Sequence, residues 1–157
     1  MKTSRILSLL LVCLWVVPVF AQDTSTKTMD IVQEAAKSNK KALIAVNLKL
    51  TEAEEKGFWP LYDSYQVALD KIQERQLNLI KDYAKEYNAN SLTDEKAKKL
   101  MADYLASEED IIKLKKSYLS KFDGVISGKK AVTYLQLENK IEAIIAYEMA
   151  GQIPLVE

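Results

Sequence analysis

The sequence contains no histidine, a single cysteine, and only four glycines and three prolines among its 157 residues. Without histidine the chain has no Ser–His triad, no His-ligated metal and no imidazole for acid/base catalysis. The scarcity of glycine and proline argues against a β-sandwich or barrel, because those folds need many turns. The composition is 48% hydrophobic and 28% charged, which favours one globular, helix-rich domain.

The sequence also has no excess of positive or negative charge, because it contains 22 basic and 22 acidic side chains. Nucleic-acid-binding proteins usually have a marked basic excess, so we expect no nucleic-acid partner. A glycosidase needs two carboxylates across a cleft. In a histidine-free helical chain with this many acidic residues, the presence of carboxylate pairs is almost no evidence for a glycosidase. We therefore expect no enzymatic activity, no cofactor and no metal site.

Residues 1–21 have the three parts of a secretory signal peptide. Lys2 and Arg5 supply the positive region, an apolar run follows, and Val19 and Ala21 are small residues at positions −3 and −1. The run is shorter than the roughly 20 apolar residues of a membrane-spanning helix. We predict cleavage after Ala21 and a periplasmic or secreted protein with no stable membrane anchor.

Residues 22–157 are predicted to form a single all-helical domain. Cys13 leaves with the signal peptide, so the mature chain has no disulfide and depends on helix packing for its stability. Loss of two basic residues leaves 20 basic against 22 acidic side chains, a net charge near −2.

About four helices in long antiparallel hairpins are predicted. Apolar spacing places the first over residues 29–47. Thr51 and Glu54 form a capping-box pattern that begins the second, which runs to about Tyr87. Pro60 lacks an N–H and crowds the preceding turn, so we expect a kink there, or alternatively a short helix over 52–58 followed by a longer one.

Thr93 is the predicted N-cap of the third helix, which ends at Asp123. A second cap at Ser107 would divide this helix in two. The fourth helix begins near Gly128 and ends with Gly151 at the C′ position. No segment has the pattern of a strand, and the fold class is all-α.

Apolar residues of the second helix recur at nearly the 3.5-residue period of a coiled-coil seam, which predicts a helix packed alongside at a shallow angle. Gln76 interrupts this row. It either faces a partner helix, where it would fix register and partner number, or tilts towards water. The apolar positions of the row are Phe58, Tyr62, Tyr65, Leu69, Ile72, Leu79 and Tyr83.

Two helix starts carry a resemblance to a known family. Leu50-Thr51-x-x-Glu54 and Leu92-Thr93-x-x-Lys96 are similar to the paired LTxxQ motifs of the Spy/CpxP family of periplasmic stress proteins, with Glu54 and Lys96 in place of glutamine. The resemblance implies a cradle-shaped helical homodimer. It also implies that the protein holds unfolding clients without ATP or inhibits an envelope sensor.

A second resemblance covers most of the mature chain. The segment from Phe58 to Tyr65, with the pattern FWPxYxxY, and the segment from Tyr134 to Lys140 resemble small exported proteobacterial proteins without an assigned function. This resemblance implies a family but no activity.

Four aromatic residues near Pro60 could form a protein-binding face, because Tyr and Trp combine contact area with a polar group. The alternative is that they pack in the core. The four residues are Phe58, Trp59, Tyr62 and Tyr65.

Two charged clusters could likewise be either binding sites or solvated helix faces. The acids at 108–110 could bind a cation but lack the spacing of a calcium loop, and a solvated helix face or cap is the simpler interpretation. The lysines at 113, 115, 116 and 121 form a modest basic patch that also suits a solvated face.

The sequence favours a client-binding chaperone or stress protein. The alternative is an interaction module for a single envelope partner, or for itself.

Overall fold

The structure, a computed structural model, describes residues 40–156. Within that range every regular element is a helix, as predicted: α1 covers residues 40–48, α2 Glu52–Asn88, α3 Asp94–Asp123 and α4 Gly128–Ala150. The predicted signal peptide and the predicted start of the first helix lie outside the described residues.

The predicted capping box begins α2. The Thr51 Oγ1 accepts a bond from the Glu54 N–H at 3.4 Å, and the Glu54 carboxylate accepts one from the Thr51 N–H at 2.8 Å. The helix continues without interruption through Pro60, which removes the alternative of two separate helices; the kink itself stays a prediction. The Ser64 hydroxyl donates to the Pro60 carbonyl at 2.9 Å.

The third helix is also continuous, so the alternative of a second cap at Ser107 is wrong. The Ser107 side chain is buried, and its hydroxyl donates to the Tyr104 carbonyl at 2.5 Å within the helix. Thr93 is the N-cap of α3, as predicted. Asp123 is its last residue.

The end of α4 differs from the prediction by one position. Gly151 is the C-cap rather than C′, and its φ of −65° is right-handed. The chain continues in a tight turn, in which the Gln152 N–H bonds to the Met149 carbonyl. This turn satisfies that carbonyl without a left-handed residue, so glycine is not required for its backbone freedom.

Helices α2 and α3 form an antiparallel hairpin. Glu86 contacts Lys96 near the connecting turn, and Arg75 contacts Asp110 at 2.6 Å further along. The partner of the α2 seam is therefore α3 of the same chain.

Helix α1 packs on the other end of this hairpin, where α4 begins; α4 then runs back along α3. Lys41 of α1 lies 2.8 Å from Asp63 of α2. Lys130 of α4 donates to the Lys49 carbonyl at 3.1 Å, just after α1. The core therefore lies where all four helices meet, near the start of α2.

Aromatic rings dominate this core. The Phe122 and Tyr134 rings are 4.7 Å apart, the Phe58 and Tyr134 rings 5.2 Å, and the Tyr65 and Tyr118 rings 5.3 Å, mostly edge-to-face as ring quadrupoles favour. The buried aliphatic residues around them are Ile44, Leu48, Leu69, Ile111, Ile126 and Ala131.

The turn between α3 and α4 packs closely against the start of α2 at Gly57. A Cβ at Gly57 would lie 3.0 Å from the Val125 Cβ. A side chain here would force Val125 to shift, so the close approach favours glycine in a helix, where it is normally unfavourable.

Candidate protein-binding surface

The aromatic face considered from the sequence is part of the core. Phe58 and Tyr65 are fully buried, Tyr62 is nearly so, and Trp59 is half-buried. Burial raises the pKa of the Tyr62 and Tyr65 phenols, since it disfavours the charged form. These rings therefore pack in the core, which was the alternative interpretation of the sequence. Among the four, only Trp59 keeps a partly accessible ring.

The motif residues act as helix caps and as ties between elements. Glu54 lies 2.6 Å from the Lys130 ammonium, and this hydrogen bond, together with the Thr51 N–H, lowers the pKa of the Glu54 carboxyl. Lys96 pairs with Glu86 in the same manner, and that bond lowers the pKa of Glu86. The two positions that depart from glutamine therefore both form ion pairs that join neighbouring helices.

The two leucines of the motifs are half-buried, and they precede the caps. Leu50 packs against the main core, whereas Leu92 lies in the turn between α2 and α3. The six motif residues thus serve local structure at two different ends of the hairpin.

A buried polar network lies between α1, α2 and α4. The Lys40 ammonium lies 2.6 Å from Glu138 and donates to the Gln66 carbonyl oxygen at 2.9 Å. The Gln66 amide nitrogen donates to Glu138 at 2.9 Å and to the Tyr134 hydroxyl at 3.2 Å. Burial raises the pKa of Glu138, although the Lys40 charge opposes the shift. Lys40, Tyr134 and Glu138 are buried and Gln66 is partly buried, so this network fixes helix positions.

Four residues of the charged clusters on α3, Glu109, Asp110, Lys113 and Lys115, form ion pairs. Arg75 holds the pKa of the Asp110 carboxyl below its usual range, and Lys113 approaches Asp110 within 3.5 Å. Lys115 pairs with Glu142 of α4. Among residues 40–156 no three acidic, cysteine or histidine side chains are grouped to hold a metal ion.

Four exposed apolar residues form a row along α3, which we call the α3 stripe: Met101, Leu105, Ile112 and Leu119. These four side chains are 58%, 55%, 53% and 38% exposed. Their spacings of four, seven and seven residues place them on one helix face. Glu108 and Lys115 occupy the intervening positions of the same row.

The α3 stripe lies beside the face that packs on α2. Helical periodicity alone does not separate the two sets, whereas the structure does. The sequence pattern that indicates two apolar faces on α3 is a set of four pairs of adjacent apolar residues, at 100–101, 104–105, 111–112 and 118–119. In each pair the two side chains point about 100° apart, so one set can face α2 while the other faces out.

No family model, curated protein or solved structure matches the chain. Within the described range no helix is long and apolar enough to cross a membrane. The fold and its surface are therefore the observations from which a function can be argued.

Proposed function

We propose that the mature protein is exported and non-catalytic, and that it binds unfolded or partner proteins through the α3 stripe, as an ATP-independent chaperone or envelope-stress protein. The observation that carries the proposal is the alignment of four large, exposed apolar side chains on one face of α3. Single exposed apolar residues are common on protein surfaces, but aligned sets mark interaction sites.

The composition of the stripe suits apolar client segments. Met101 is flexible and polarizable, and such side chains adapt to varied partners. The exposed Glu109 and Lys116 lie beside the apolar row and would keep the surface soluble. A helix with this arrangement can contact an apolar segment while its charges remain hydrated.

The second candidate function is a module that binds one envelope partner. The exposed Glu108 and Lys116 along the row favour it, because charges at fixed places in an apolar surface select a partner by complementarity. Such a module would need no broad chaperone activity.

An aggregation-suppression assay with several unrelated unfolding clients separates the two candidates. We compare the mature wild type with a Leu105→Ser, Ile112→Ser double variant. The matched control is Val67→Ser, because Val67 is 58% exposed on α2 and lies outside the stripe.

Broad protection that the double variant loses and the control keeps supports the chaperone. Protection of no client, combined with capture of one envelope protein through the stripe, supports the module. Equal protection by the wild type and the double variant would contradict a role for the stripe.

Export is supported by the sequence of residues 1–21. N-terminal sequencing of the protein from an extracytoplasmic fraction tests it directly. The expected first residue is Gln22, and retention of Met1 would contradict cleavage.

We also propose that the mature protein forms a homodimer. The support is the apolar area left exposed on a single copy, since a two-fold partner is the commonest way to cover such area. If the α3 stripe is the contact, self-association and client binding compete for it.

A further inference from the structure

A cavity of about 310 Å³ lies between α2 and α3, towards the turn that joins them. Its walls are apolar apart from two tyrosine hydroxyls. The lining residues that matter below are Leu79, Ile80 and Tyr83 of α2, and Ala97, Leu100 and Tyr104 of α3. The cavity lies away from the aromatic core and from most of the α3 stripe, although Met101 borders both.

One wall of the cavity is a segment of the same chain, residues 153–156, with the sequence Ile-Pro-Leu-Val. This segment follows α4 and has no helical structure at its last three residues. The Tyr83 hydroxyl donates to the Pro154 carbonyl at 2.8 Å. An apolar, non-helical peptide is therefore already seated against α2 and α3 by side-chain contact and one bond to its backbone.

The seated segment fits the site incompletely. Leu155 is 86% exposed and Val156 62%, although both border the cavity. An empty apolar volume lacks the dispersion contacts that a filling group would make. A peptide that inserts larger side chains would therefore gain contacts that residues 153–156 do not make.

We propose that this cleft is a binding site for an extended apolar peptide segment, for which residues 153–156 act as an internal competitor. The inference rests on the proposed function, namely that the molecule binds other proteins. The cleft is a second binding site beside the α3 stripe, and the segment that it binds is extended and apolar. The phenol of Tyr83 supplies the donor that meets a peptide carbonyl, and apolar side chains enter the cavity.

An internal competitor lowers the apparent affinity for an external peptide. A tethered segment acts at a high effective concentration, on the order of millimolar for short linkers. Weakening the segment should therefore tighten the binding of an external peptide, and filling the cavity should abolish it.

The experiment measures binding of a fluorescein-labelled peptide, Gly-Gln-Ile-Pro-Leu-Phe-Phe, by anisotropy to the mature protein. In the Ile153→Ser, Leu155→Ser variant the peptide should bind about tenfold more tightly than in the wild type. Addition of Ala97→Leu to that variant should remove binding. Val67→Ser should bind the peptide as the wild type does.

Helicity by circular dichroism checks that each variant folds, and Ile80→Lys replaces Ala97→Leu if the latter unfolds. Equal affinity in the wild type and the Ile153→Ser, Leu155→Ser variant would overturn the competitor role. Unchanged binding after the cavity is filled would overturn the site.

Peptide binding and aggregation suppression are separate measurements, so the two proposals can fail independently. If the protein protects no client in any assay but still binds the peptide, only the proposed function is contradicted. Client protection through the stripe without peptide binding contradicts the cleft alone.

Discussion

The Lys40 ammonium lies 2.6 Å from a carboxylate oxygen of Glu138, and the two side chains are 8% and 0% exposed. This ion pair joins α1 to α4 beneath Gln66. Burying two charges is costly, and their attraction only partly compensates the lost hydration. The net effect on Glu138 is a raised pKa, because desolvation outweighs the pull of Lys40.

A raised pKa in the folded state gives a definite pH dependence. The folded protein holds the Glu138 proton more tightly than the unfolded chain, so the contribution of this group to stability is full below its ordinary pKa. It is lost as the pH rises through the raised value. The free energy of unfolding of wild type minus that of Glu138→Gln should therefore fall as the pH rises above the ordinary pKa of a glutamate, about 4.3.

Urea unfolding at several pH values measures this difference. Glu109→Gln is the control, because Glu109 is 71% exposed. A difference that grows with pH would mean that Lys40 dominates and lowers the pKa of Glu138.

The two motif threonines should differ in their contribution to stability. The Thr51 hydroxyl accepts a hydrogen bond from the Glu54 N–H and donates one to the Glu54 carboxylate at 3.1 Å, whereas the Thr93 hydroxyl accepts one from the Lys96 N–H. Lysine cannot return a bond to the cap, since it has no acceptor. We expect Thr51→Ala to cost about 1 kcal/mol of unfolding free energy and Thr93→Ala less.

Denaturant unfolding with an unchanged m-value checks the two cap variants. Thr133→Ala is the control, because its hydroxyl bonds within α4 to the Lys129 carbonyl and caps nothing. A larger loss for Thr93→Ala than for Thr51→Ala would contradict the role assigned to the reciprocal bonds.

The sequence predicted where the helices begin better than it predicted which apolar residues lie on the surface. Cap residues such as Thr51 and Thr93 bond to amides three positions away, so local sequence specifies where α2 and α3 begin. The α3 stripe depends on which helix covers which side, and that is set by packing between distant segments. Residues 153–156 show no periodicity, so nothing local places them against Tyr83.

Gln76 illustrates the same limit. The row that it interrupts faces α3 of the same chain, and its amide donates to the Glu108 carboxylate across the hairpin. It therefore bonds within one chain instead of selecting a partner chain. Gln76→Leu should raise the melting temperature slightly by adding apolar contact, and should leave the oligomeric state unchanged.

Differential scanning calorimetry and sedimentation velocity measure the two effects of Gln76→Leu. The control is Glu74→Gln, at an exposed position of α2 that lies outside both the seam and the α3 stripe. A change in oligomer size would contradict the assignment of Gln76 to the intrachain seam.

The charge order along the α3 stripe favours an antiparallel contact between two copies, centred on Ile112. Leu105 and Leu119 lie seven residues to either side of it, and Glu108 and Lys116 four residues to either side. Antiparallel pairing would therefore set leucine against leucine and acid against base. Ile112 would meet its own counterpart on the two-fold axis.

We expect the mature wild type to sediment as a dimer, and Ile112→Lys to sediment as a monomer, because two lysines would meet at the axis. Val67→Lys is the matched control and should remain dimeric, since Val67 lies on α2, outside the stripe. Higher salt should weaken the wild-type dimer only modestly, because it screens the charge pairs and leaves the apolar contact. A wild type that sediments as a monomer at every accessible concentration would contradict the homodimer. A dimer unaffected by Ile112→Lys would place the contact on another face.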